Sequence, residues 1–351
     1  MQLKKVFTAI AVMILALALA LAGCGKTSQP SGQGAAPKES KEAGDTGQYT
    51  VKWTYRLTPQ NIVFFDGKFG EKYGVNVKQI SLPTGTEARD ALLSGEVDVA
   101  ELGVTPALTA LAKAPNDLAI IGASSFGGGK YRVVVKKDSA IQSMDQLVGK
   151  KIAVKVGSGC YTAFLMWTKQ KGYDIKQFNC ADMGDTDAMA ALESNSVDAV
   201  VYWEPIPSIL VAKGLAREIF NFDGFVENPV YLVASRKWLE QNPEAAKRLM
   251  AAWIETDHQI MFKPAEAAKI SSEALSKKGI NISAEAYKSA FMHERFEPWI
   301  YPALVEETKQ TFQYLKENNK ITGEIDWAKA YQTQYLADAY QLVMKKNLEQ
   351  K

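Results

Sequence analysis

The sequence predicts an α/β protein of two successive strand–helix units with a helical C-terminal extension. Three observations carry that prediction. From Tyr49 onward, short runs rich in β-branched and aromatic residues alternate with stretches of helical periodicity. The alternation breaks at Phe126-Gly127-Gly128-Gly129 and then resumes. After Lys237 the pattern is helical to the end.

In the first unit, YTVKWTYRL reads as a strand and residues 61–73 as a helix stopped by Gly74. VNVKQISL is the next strand, 86–94 a short helix stopped by Gly95, VDVAEL a strand, 106–113 a helix and LAIIGAS a strand. Such a succession argues for a parallel sheet with helices on both faces. The second unit runs YRVVVKK, a short helix in SMDQLVGKK, then IAVKV, a helix over 160–171 and the strand IKQFNC. A helix over 185–193, the strand VDAVVY and a helix over 204–213 complete it.

PVYLVAS (229–235) is one more strand, too late to belong to the second unit alone. It suggests two lobes joined by crossings near 123–132 and 224–231. Lobe one takes 49–124 and about 230–351, and lobe two about 130–225. The tail reads as helices over 243–262, 266–276, 284–292, 302–318 and 327–346. In the first of these, Ala246, Leu249, Met250, Trp253 and Ile254 fall at helical spacing.

The chain begins with Lys4 and Lys5, then an apolar run to Gly23 without charge. Small residues precede Cys24 in Leu21-Ala22-Gly23-Cys24, as a signal peptidase needs, and no basic stop-transfer cluster follows. Leu-Ala-Gly-Cys resembles the lipobox of bacterial lipoproteins. That resemblance implies cleavage before Cys24 and a diacylglyceryl thioether on its sulfur. Residues 24–48 are small, polar and charged, too poor in apolar surface to order themselves, and read as a tether. The expected location is extracytoplasmic, anchored by lipid to the membrane.

The 351 residues hold 41 Lys+Arg and 39 Asp+Glu; the leader carries two lysines and no acid, so the remainder holds 39 of each. No basic footprint for nucleic acid exists. Two histidines, His258 and His293, leave little room for a His-based metal site or a Ser-His-Asp triad, and no cofactor or metal is expected. With Cys24 lipidated, Cys160 and Cys180 form an even pair. A disulfide between them would close a loop of about 20 residues and add roughly 3 kcal/mol. The alternative is two partly buried thiols.

Open α/β sheets bind ligands beyond the carboxyl ends of their strands. There stand Arg56, Thr58, Gln60 and Asn61 after the first strand, and Gly103 and Thr105 after the third. Gly157-Ser158-Gly159-Cys160-Tyr161 leads into a helix. Thr105 suits an N-cap and Pro106 the first helical position. Helix starts facing one cleft would offer free N–H groups and about half a positive charge each to a small anion. Arg56 would clamp an oxyanion. Each loop read alone is equally an ordinary α/β connection. In Val200-Val201-Tyr202-Trp203-Glu204-Pro205 a buried strand runs into a helix. Trp203 would wall a ligand and Glu204 would receive an amine, or the two are a core Trp and a capping Glu.

These stretches also carry a family resemblance. SGEVDVAELGVTPALTA, DQLVGKKIAVKVGSG and SVDAVVYWEP, in this order behind a lipobox, resemble the nitrate/sulfonate/taurine group of solute-binding lipoproteins that feed ABC importers. Gly95, Asp98, Gly103 and Pro106 form one shared motif, and Leu147 to Val154 another. The resemblance spans most of Tyr49 to about Met250. It implies a two-lobed, periplasmic-binding-protein-like (Venus-flytrap) fold that closes on a solute, and a monomer that works with a permease and an ATPase. Its contacts would be the Thr58–Asn61 loop, Thr105, the Gly157–Tyr161 loop, and Trp203 with Glu204. The chain departs from the family pattern at Cys160 and Arg56.

The expected function is therefore non-catalytic capture of a small anion of sulfonate, taurine or nitrate type. Two other readings stand beside it: a neutral or heteroaromatic solute of pyrimidine or flavin type, stacked on Tyr161, Tyr202 and Trp203, and an enzyme resembling the thiamine pyrimidine synthases. The Cys-rich motif and histidine of those enzymes are not seen here.

Overall fold

The computed structural model describes residues 49–349; the leader, Cys24 and the expected tether lie outside the described residues. β1 (Tyr49–Tyr55) turns Val51 and Trp53 into the core and pairs in parallel with β2 (Val75–Ser81), Tyr49 opposite Val75. Between them the expected single helix is two: α1 (Pro59–Asp66) and α2 (Phe69–Lys72). Lys68 adopts φ 56° at the break, a left-handed conformation that no continuous helix holds.

α3 (Gly85–Ser94) starts in a Thr84/Glu87 capping box and stops at Gly95, φ 76°. β3 (Val99–Gly103), α4 (Val104–Lys113) and β4 (Leu118–Ser125) follow. A 3₁₀ turn, Gly128–Lys130, leads to β5 (Tyr131–Lys136), then β6 (Lys151–Val154), α5 (Gly159–Gln170), β7 (Asn179–Asp182), α6 (Asp185–Glu193), β8 (Ala199–Trp203) and α7 (Ile206–Ala212). IKQFNC is not one strand: Ile175–Gln177 is a 3₁₀ turn and only its last two residues enter β7. β9 (Ala216–Asn221) was not foreseen. β10 (Val230–Ser235) then opens the helical tail: α8 (Arg236–Gln241), α9 (Pro243–Phe262), α10 (Pro264–Lys277), α11 (Ala284–Lys288), α12 (Pro302–Glu317) and α13 (Gln334–Glu349). The last helix starts later than expected, because residues near Ala330 and Tyr331 bond to β4 at Ile120.

The strands form two sheets, ordered β2-β1-β3-β10-β4 and β7-β6-β8-β5-β9. Both are mixed rather than parallel. β10 runs antiparallel between β3 and β4, and β5 antiparallel between β8 and β9. The helical tail closes over the first sheet: Trp253 of α9 packs 5.0 Å from Trp53 and 5.3 Å from Phe64 between ring centroids. Among the described residues, no helix is long and apolar enough to cross a membrane.

Candidate functional site

Strand ends and helix starts of both sheets meet around a cavity of about 40 Å³. Of the twelve ligand-binding residues expected from sequence, eight line it: Arg56, Thr58, Gln60, Gly103, Ser158, Gly159, Trp203 and Glu204.

The floor is organised by Glu101, a carboxylate inside β3. It accepts from Thr58 Oγ1 at 2.6 Å, Asn61 Nδ2 at 2.9 Å and Ser124 Oγ at 2.6 Å. Asn61 thus supports the site without lining it, and its Oδ1 also accepts from the Arg56 amide at 3.0 Å. Thr58 precedes α1 but does not cap it, since its hydroxyl is given to Glu101. Gln60 donates to the Ser124 carbonyl at 2.6 Å.

Arg56 is buried. Its Nη1 donates to the Glu101 carbonyl at 3.3 Å, its guanidinium lies 5.5 Å from the Trp203 ring centroid, and its Nε has no partner. Trp203 Nε1 is likewise buried and unpartnered. So is the ammonium of Lys130, at 2% exposure; burial pulls it down to about 8, against the opposing pull of Glu294. Glu294 accepts from Ser125 Oγ at 2.5 Å, and burial raises it to about 7.

Three expectations need correction. Thr105 is not an N-cap: α4 begins at Val104 after Gly103, and the Thr105 hydroxyl meets Thr162 Oγ1 of α5 at 2.9 Å. Glu204 is not free to receive an amine. It is fully buried, 2.7 Å from Arg132 Nη1, and bonded to Ser208 Oγ at 3.0 Å and Ser208 N at 3.3 Å. Cys160 and Cys180 carry free thiols, so the disulfide left open by the sequence is not formed. Cys160 lies behind the cavity wall, its sulfur 3.1 Å from Ser158 Oγ and 3.6 Å from the Val201 carbonyl, and burial pushes the thiol up to about 12. Tyr161 is half-buried beside α5 and lines no part of the cavity.

Lys130, Glu101, Glu294 and Tyr131 were missed. An acid inside the apolar strand VDVAEL was a readable signal for Glu101, and the break at FGGG pointed at Lys130, the next residue. Nothing marked Glu294, which the fold returns to the cavity from the helical tail.

Two sheets meeting at such a pocket define the architecture of two-lobed periplasmic binding proteins. The alkanesulfonate-binding protein SsuA from Xanthomonas axonopodis pv. citri, bound to MOPS, matches with a TM-score of 0.72 and 19% identity over 82% of this chain and 99% of its own. The desulfurization enzyme DszB shares the fold, with a TM-score of 0.62 and 15% identity over 84% of this chain and 99% of its own. The chain belongs to the NMT1-like family, whose model matches residues 51–276. Among curated relatives, an Escherichia coli (strain K12) protein named for binding aliphatic sulfonates is 25% identical over 181 residues, 52% of this chain and 56% of its own length. The taurine-binding periplasmic protein of Escherichia coli (strain K12) is 25% identical over 218 residues, 61% of this chain and 67% of its own length. This chain thus spans little more than half the length of the first curated relatives it matches.

Proposed function

We propose that this protein captures a small oxyanion, of sulfonate, taurine or nitrate type, outside the cytoplasmic membrane and hands it to the permease and ATPase of an ABC importer. The observation that carries this reading is the set of buried donors without partners around one cavity: Arg56 Nε, Lys130 Nζ and Trp203 Nε1. A buried donor left unsatisfied costs about 1–3 kcal/mol, more when charged, and an oxyanion satisfies several at once. The start of α5 adds to them. Ser158 Oγ takes the Tyr161 amide, which leaves the Gly159 and Cys160 amides for a ligand at the helix's positive end.

Size supports the same reading. A buried water needs about 10–15 Å³, so about 40 Å³ suits a head group of a few heavy atoms and not a flavin. The Cys160 thiol, held protonated with no base bonded to it, supports binding rather than nucleophilic catalysis. In this reading residues 49–124 with 230–351 form lobe one, 130–225 form lobe two, and closure traps the solute between them. Cys24 carries the lipid anchor, and the protein acts as a monomer.

Thermal shift and calorimetry with methanesulfonate, taurine and nitrate, against riboflavin and a free pyrimidine, test the reading. At least one anion should raise the melting temperature and bind. Arg56→Ala should weaken that anion about 10- to 100-fold, the worth of a charged hydrogen bond. Binding of an aromatic solute and of none of the anions would sink it.

A further inference from the structure

The cavity wall holds more acid than an anion site tolerates. Glu101, Glu204 and Glu294 line it with Arg56 and Lys130. Two of the three carboxylates have strong partners. Glu101 accepts three side-chain donors, and Glu204 faces the Arg132 guanidinium at 2.7 Å. Glu294 is different: among the described residues its carboxylate accepts from the neutral hydroxyl of Ser125 and forms no ion pair. An incoming anion therefore meets one negative charge that can be discharged at little loss.

We propose that Glu294, with Lys130, makes anion capture proton-coupled: the site takes up the anion together with a proton from solvent, which settles on the Glu294 carboxylate. No other bond changes. The inference rests on the anion reading above.

The surroundings pull both ways: burial, Glu204 and Glu101 favour the neutral acid, while Lys130 and the Ser125 hydroxyl favour the carboxylate. Lys130 of the Gly128–Lys130 turn, Glu204 just after β8 and Glu101 of β3 act on Glu294, and Glu294 in turn raises Asp257 of α9. His293, the residue before Glu294, has Nε2 3.9 Å from Glu204 Oε1 and is held below its ordinary value by burial, which favours the neutral imidazole. Glu227, Glu307 and Arg295 act in turn on Lys130. Glu227 is paired with Arg295, and Glu307 accepts the Glu227 and Asn228 amides at 2.8 and 2.9 Å, so both acids favour the Lys130 ammonium from a distance without bonding to it. In the empty site burial holds Glu294 above the usual carboxylate range and Lys130 below the usual ammonium range. A bound anion raises both, because it disfavours the carboxylate and favours the ammonium. Both shifts mean proton uptake on binding, so affinity falls as pH rises.

The test uses methanesulfonate and nitrate as probes, in solutions free of sulfonate buffers. A pH-stat titration at pH 7.5 should record uptake of about 0.5 to 1 proton per site, and affinity should be about tenfold weaker at pH 8 than at pH 6. Glu294→Gln should lose most of that uptake and hold its affinity within about threefold over the same range. Ser125→Ala, which removes the donor that favours the carboxylate, should move the fall in affinity to higher pH. Asp185→Asn, outside the cavity, should leave the uptake in place. Wild-type affinity independent of pH, or uptake undiminished in Glu294→Gln, overturns the inference and leaves the anion reading standing. If Glu294→Gln does not fold, an unmoved pH dependence in Ser125→Ala overturns it. Failure of both probes to bind at pH 6 overturns the anion reading, and the inference with it.

Discussion

Gly159 has no room for a side chain: a Cβ there would land on the Tyr131 hydroxyl, against the cavity wall. Gly159→Ala should therefore cost about 1–3 kcal/mol in urea denaturation and weaken anion binding. Gly184→Ala, beside the start of α6 with only Asp187 Oδ2 at 3.7 Å, should change stability by less than about 0.5 kcal/mol. Equal effects would refute the steric account. Arg132 makes a second point. It lies at 8% side-chain exposure between Glu204 and Glu218, and Arg132→Leu leaves Glu204 charged, buried and without its cation. Loss of about 3–5 kcal/mol is expected; a loss under about 1 kcal/mol would mean that Glu204 is neutral in the folded protein. The sequence left Glu204 between receiving an amine and capping the following helix, and its bond from the Ser208 amide in the first turn of α7 supports the second. Its partner sits on β5, which enters the sheet beside β8 with Arg132 opposite Tyr202, a pairing that no local pattern reveals.

At the scale of elements, legibility followed punctuation. Gly95 closed α3 in the sequence to the residue, and the expected start at 86 lies one residue inside the observed one, where the Thr84/Glu87 capping box went unread. Where the stop is a left-handed lysine, as at Lys68, or where a segment is tied down by a distant strand, as before α13, the helical period ran on across a real boundary. β9 was missed because AREIFN lacks a continuous apolar run; five of its six residues are only partly buried. The helix starts around the cavity were legible, but not that two of those helices touch. Thr105 of α4 and Thr162 of α5 join hydroxyls at 2.9 Å, both buried, and so link helices attached to different sheets. Hinge opening of the proposed lobes would break this bond. Thr105→Val should thus weaken anion affinity about 2- to 10-fold, the worth of one buried hydrogen bond acting on closure. Calorimetry beside a denaturation curve separates the outcomes. Unchanged affinity would show that the contact persists when the cleft opens.

At the scale of the whole molecule, strand return and burial of charge belong together. The alternating pattern announced two α/β units but not that β10 and β5 would run against their neighbours, because strand direction is set by where the chain re-enters each sheet. Those returns bring the tail back over the cavity and with it Glu294, while α6 buries Asp185 with Oδ2 unpartnered. Burial raises Asp185 and Glu294 to about 7 and lowers Lys130 to about 8. Between the unfolded carboxyl value near 4 and pH 7, the folded chain holds protons at both acids that the unfolded chain has released. Stability is then full below about pH 4 as far as these two groups are concerned, and is lost as pH rises to 7, by about 2 kcal/mol per group between pH 5.5 and 7.5. Lys130 acts in the opposite sense. Above pH 8 the unfolded chain holds a proton that the folded chain has lost, so stability recovers towards pH 10. The solute-free protein should accordingly be least stable near pH 7–8. Urea midpoints at pH 5.5, 7.5 and 9.5 test this, with Asp185→Asn expected to remove about 2 kcal/mol of the fall between the first two. A midpoint that is highest at pH 7.5 would mean that these groups find partners in solution that relieve their burial. A bound anion should fill the same minimum, because it supplies Arg56, Lys130 and Trp203 with the acceptor they lack and holds Glu294 protonated at the pH where the empty site is weakest.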